Sequence, residues 1–174
     1  DEYLKRREEG LKIVKRCDHS IGDSYMDTSI EWRLEDAAKK ESAWLFNYTL
    51  RGGWKQVKSQ FLAAKEFERS DILIALISLK QITSLDRPVD RAWLYKHIKK
   101  FGKDTEWSER VLANLCSSKM IISPLDIRTL HLECAQRIIA NFIIEGSKNE
   151  RKLFYSIIQN ELINRDCSLR GISW

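Results

Sequence analysis

Residues 72–79, ILIALISL, are apolar at every position but Ser78. A helix that is hydrophobic all round belongs in the middle of a protein or across a membrane, and a membrane span needs about 20 such residues. This run is far too short for that, so it reads as a central buried helix around which the chain must wrap other elements.

The flanking segments carry the pattern such a wrapping requires. Residues 1–16, DEYLKRREEGLKIVKR, put Tyr3, Leu4, Leu11 and Val14 at helical spacing among many charges, which predicts an exposed amphipathic helix weakened at Gly10. The segment DTSIEWRLEDAAKKESAWLFNYTL predicts a helix capped at Asp27, Thr28 or Ser29 and broken near Glu41 and Ser42. A corner follows at Gly52 and Gly53, with Trp54 to Glu68 as the next helix. These two glycines do not make a phosphate loop: no strand feeds them, and no Lys-Ser/Thr or third glycine completes the motif. Glycine is instead the usual residue just past a helix end.

After the buried helix, capped by Ser70 or Asp71, DRPVDRAWLYKHIKKF places Pro88 in a first turn and Trp93, Leu94 and Ile98 on one face. DTEWSERVLANLCSSK starts on Asp104 or Thr105 and turns Trp107, Val111, Leu112 and Leu115 inward. Three short helices in succession lead into MIIS and IRTL, two β-rich pieces joined by PLD, which reads as the wing of a winged helix. Leu132 to Ile144 and Ser147 to Arg165 then return to helical period, with a break at Gly146. The expected fold class is mainly α. A helical domain covers 1–69, and a winged-helix domain with a short two-stranded wing covers 70–146. A following helical region begins at 147–174.

The chain of 174 residues is 43% hydrophobic and 32% charged, enough for a substantial core and against disorder. It starts on Asp1 and stops on Trp174, and is read as a piece of a longer protein. Four cysteines, Cys17, Cys116, Cys134 and Cys167, lie far apart with no Cys-x-x-Cys pair, which points to reduced thiols in a cytoplasmic protein rather than a zinc or redox site. The histidines, His19, His97 and His131, have no partner at helical metal spacing, and Cys17-x-His19 is the nearest approach to one. A Cys116 nucleophile served by His131 or His97 is outweighed by the apolar face on which Cys116 sits. Neither a metal nor a catalytic residue is assigned.

The net charge of +5 permits nucleic-acid contact without demanding it. Residues 104–119 would form the recognition helix of a winged helix, yet their net charge is −1. The basic side chains fall earlier, on Arg87, Arg91, Lys96, Lys99 and Lys100, so contact there would be with phosphates or a partner. YKHIKKFGK has no aromatic interleaving suited to stacking on bases, with Tyr95 and Phe101 towards its two ends, and a solvated or domain-facing basic surface is preferred.

Two stretches carry a resemblance. IRTLHLECAQRIIANFI at 127–143 resembles the strand-to-helix junction bearing the Met-His-Asp motif of STAND signal-transduction ATPases, with Leu130, His131 and Leu132 at its three positions. KESAWLFNYTLRGGW at 40–54 looks like the helix of the first helical domain that bacterial members use where plant receptors carry Gly-x-Pro. The class includes plant NB-ARC receptors, apoptotic ATPases and bacterial antiviral NLR-like proteins. The resemblance implies a region that follows the P-loop core and controls switching and oligomerisation, with His131 reaching the β-phosphate of a bound nucleotide. Leu132 stands where the motif has Asp, and Ser42, Ala43 and Trp44 lack the Gly-x-Pro proline. The implied partners are the NTPase core of the same chain and further copies of the parent, with no membrane involved. ATP or ADP with Mg would bind in the parent core; this segment holds no cofactor and no Walker motif of its own, so by itself it is no enzyme. The rival expectation is a winged-helix nucleic-acid-binding module.

Overall fold

The computed structural model describes residues 30–39 and 53–163, with the single positions Glu9 and Thr49. The predicted helix at 1–16, the Cys17-x-His19 pair, the caps at 27–29, the 40–48 stretch and the Arg51–Gly52 half of the corner lie outside the described residues. The chain divides into two compact units, Asp1–Val57 and Lys58–Trp174. In the first, helix α1 spans Ile30–Ala38 and buries Leu34 and Ala37. Helix α2, Gly53–Glu66, runs from the first unit into the second.

The second unit holds α3 (Ser70–Thr83), α4 (Arg91–Ile98), a 3-10 turn (Lys99–Phe101), α5 (Thr105–Ser117), α6 (Leu132–Glu145) and α7 (Lys148–Ile163). The apolar run becomes α3, and it is the centre: Leu73, Ile74, Ala75, Leu76 and Ile77 have no exposed surface at all. Burying each large member is worth about 1.5–3 kcal/mol. Its most extensive partner is α6, which buries Ala135, Ile138, Ile139 and Phe142, and α4, α5 and α7 also pack against it.

Local chemistry sets most of the helix ends. Asp90 opens α4 and Asp104 opens α5 by accepting the N–H groups of Trp93 and Trp107, at 3.1 and 2.8 Å. Ser147 and Glu150 form a reciprocal capping pair at the start of α7. Two expectations need correction. α3 has no side-chain cap: Arg69 precedes it in the left-handed region, and the Ser70 hydroxyl donates back to the Phe67 carbonyl. Pro88 lies ahead of α4 in the connecting segment, because Asp90 supplies the start signal two residues later.

The expected two-stranded wing is the larger correction, for no strand occurs among the described residues. MIIS and IRTL lie alongside each other, but the Ile122 N–H to Arg128 carbonyl bond, 2.9 Å, is their only ladder-like rung. Other donors are diverted. Ser123 Oγ accepts the N–H groups of Leu125 and Asp126, Arg128 N–H turns back to the Asp126 carbonyl, and Thr129 N–H goes to the Gln81 side chain on α3. Pro124 has no N–H to offer. Too few backbone donors remain for a ladder.

Candidate functional site

The junction between this loop and α6 is the most tightly specified polar region of the second unit. Gln81, fully buried on α3, accepts the Thr129 N–H and hydroxyl at Oε1, 2.8 and 2.9 Å. Its Nε2 donates to the Thr129 carbonyl and the Asp86 carboxylate, 3.2 and 2.7 Å. Arg128 reaches the Asp86 carbonyl and carboxylate and makes a two-point pair with Asp126. A side chain two residues before His131 is thus bound to the core, which fixes where the loop delivers the imidazole.

His131 is half-buried, extended in backbone, and the N-cap of α6: its Nδ1 accepts the Glu133 N–H at 3.2 Å. An accepting Nδ1 requires the neutral imidazole protonated at Nε2. The His131 carbonyl shares the one Thr129 hydroxyl proton with Gln81, at 3.0 Å, and accepts the Ala135 N–H at 3.1 Å. Leu132 is the first helical residue and half-buried, and Leu130 is 58% exposed. The ring therefore has a structural duty as a cap, whatever else it does.

The five basic residues do not converge. Arg87 is exposed in the segment before α4. Arg91, in the first turn, gives its Nε–H to Glu109 at 3.1 Å, and Tyr95 donates to the same oxygen at 2.5 Å. The Tyr95 bond above all holds the Glu109 carboxyl below its usual range, and the bond to Glu109 raises Arg91. Lys96, Lys99 and Lys100 are exposed at the other end, roughly 8–14 Å along the axis at about 1.5 Å per residue. There they sit at the negative end of the α4 dipole, a sufficient reason for cations. Lys103 joins them but lies over the Trp107 ring, 5.0 Å from its centre.

Two clusters had no counterpart in the sequence reading. Arg69 spans two carboxylates, Asp71 through a two-point contact at 3.0 Å and Glu150 at 2.7 Å. Glu161 on α7 accepts the Trp93 indole N–H at 2.8 Å and the Lys80 ammonium at 2.6 Å, with His97 stacked on Trp93 at 4.1 Å. Glu161 lies 68 residues from Trp93 and 81 from Lys80, beyond the reach of any local spacing rule.

Among the described residues no three His, Cys, Asp or Glu side chains could hold a metal, and no helix is long and apolar enough to cross a membrane. Cys116 is half-buried and Cys134 buried, neither in a disulfide. Comparison with protein-family models, with curated proteins and with solved structures finds no match to this chain.

Proposed function

We propose that the chain is the regulatory helical portion of a STAND-type NTPase, which works in the cytoplasm against a P-loop core and governs nucleotide-dependent switching and oligomerisation in signalling or antiviral defence. The observation that carries this reading is His131. The resemblance assigns it to a nucleotide phosphate, and it stands at a loop-to-helix junction clamped to the core through Thr129 and Gln81.

The cap complicates the obvious test, because His131→Ala removes both cap and sensor. Loss of a cap costs about 1 kcal/mol, or roughly 2–4 °C of melting for a chain of this size. His131→Asn separates the roles, since Asn is a strong N-cap and lacks the imidazole. His131→Ala should lower the melting of the 174-residue chain, and His131→Asn should recover most of it. In the longer chain carrying the NTPase core, both variants should release ADP about tenfold faster, the loss of one charge-assisted hydrogen bond. Release at the wild-type rate from His131→Asn would reduce His131 to a cap and remove the basis of the reading.

A nucleic-acid-binding module is the second reading, and the exposed Lys96, Lys99 and Lys100 favour it. With phosphate-type contacts alone, duplex DNA should bind weakly, without sequence preference and with steep salt dependence. Sub-micromolar, sequence-selective binding lost on changing the three lysines to Glu would put this reading first.

A further inference from the structure

Helix α7 is lightly held. Of its 16 residues only Phe154 and Ile157 are buried, against nearly every side chain of α3. Phe154 rests on Phe142 of α6, with ring centres 4.9 Å apart, and Phe142 meets the edge of Phe101 at 6.5 Å. Polar contacts fasten the helix at both ends. Glu150 in its first turn meets Arg69 at 2.7 Å, and Glu161 near its far end takes the Trp93 indole and Lys80.

A titratable group lies against the second fastening. His97 is only 5% exposed, stacks on Trp93 and donates from Nδ1 to the Trp93 carbonyl at 2.8 Å. The charged groups around it are Lys96 and Lys100 from its own stretch, Glu161 from α7, and Lys80 from α3, whose ammonium lies 5.0 Å from the Trp93 ring. Burial holds its imidazole below the usual range, and Lys100 and Lys96 push the same way against the Trp93 bond and Glu161.

We propose that α7 is a releasable strap, latched to α3 and α4 through Glu161, Lys80 and Trp93, and freed when His97 takes up a proton. Protonation adds a cation beside Lys80, Lys96 and Lys100 where Glu161 is the one carboxylate among the groups acting on it. A cation this deeply buried draws in water even with Glu161 nearby, and of the helices packed on α3 the one held by fewest buried side chains, α7, is the one that gives way. Lifting α7 takes Phe154 off Phe142 and uncovers apolar surface between the 3-10 turn and α6, which in the latched state α7 itself fills. The device needs no nucleotide, so it goes beyond the proposed function and stands or falls separately.

Hydrogen–deuterium exchange of the whole chain tests it, at about pH 7.5 and about pH 5.5 with rates corrected for intrinsic pH dependence. The 70–83 segment serves as reference in the same sample. Protection over 148–163 should fall about fivefold or more at the lower pH while 70–83 holds. His97→Gln should abolish the difference, and Glu161→Gln should leave 148–163 poorly protected at both values. Unchanged protection of 148–163, a fall in step with 70–83, or an acid response that survives His97→Gln overturns the proposal. If His97→Gln does not fold, Glu161→Gln decides: full protection of 148–163 at the higher pH sinks the latch.

Discussion

Gln81 looks in the sequence like the polar end of an apolar helix, yet it holds the 120–130 loop to the core. Replacing it with Leu keeps the volume and strands the Thr129 N–H, which lies in a buried bond. Stranding a buried donor costs about 1–3 kcal/mol, so Gln81→Leu should lower the melting temperature by roughly 3–10 °C. A drop below about 2 °C in a thermal melt would show that the loop finds other support. Ser78 is the opposite case, with its hydroxyl buried on α3 and no hydrogen-bond partner among the described residues. Ser78→Ala should therefore stabilise the chain, by about 1 kcal/mol, and a loss of stability would reveal a hidden partner. A sequence reader sees two polar residues three apart on one helix; only the facing loop tells them apart.

At the scale of elements, helix ends were legible where the signal is local and hidden where it is tertiary. Asp104 was expected as a cap and is one, because an Asp before an apolar period bonds locally. The stops are hidden because α2, α3 and α5 run into left-handed residues that are not glycine: Glu68 and Arg69, Leu85 and Asp86, and Lys119. Such a conformation costs an ordinary residue roughly 1–2 kcal/mol, and tertiary contacts sustain it, as Arg128 and Gln81 do at Asp86. Lys119 is exposed. Lys119→Gly should relieve the strain and gain up to about 1 kcal/mol. At Gly102, φ is 69° in open space, and Gly102→Ala should lose about as much. Denaturant titration of both variants checks the pair, and opposite signs are expected. Gly146 serves another need, for a Cβ there would come within 2.6 Å of the Phe142 carbonyl oxygen.

The molecule as a whole should respond to acid in two stages. His97 has a folded-state value below its ordinary 6.5, so the unfolded chain binds its proton first. Its contribution is complete above about pH 6.5 and drains away as the pH falls below that. Glu150 is also held low: burial pushes it up, but the Ser147 hydrogen bonds and Arg69 outweigh that. Stability from Glu150 and Glu109 is present above about pH 4.5 and lost as the pH falls further. Melting temperature should be flat near neutrality, decline below about pH 6.5, and fall again below about pH 4.5. His97→Gln should flatten the first decline and leave the second; an unaltered first decline would assign it to another group.

By itself the sequence determined that the chain is mainly helical, that 71–79 is its centre, and that α5 turns Trp107, Val111, Leu112 and Leu115 inward, as observed. Those facts follow from apolar period and local capping, which act over one or two turns. Tertiary structure alone decided that MIIS and IRTL remain irregular, since the bond that withdraws Thr129 from a ladder comes from a residue 48 positions away. It also decided that Arg91 is occupied by Glu109, and that His97, Trp93, Lys80 and Glu161 meet. Side chains of distant elements compete for the same donors and charges, and the winner depends on distances that exist only once the helices have packed.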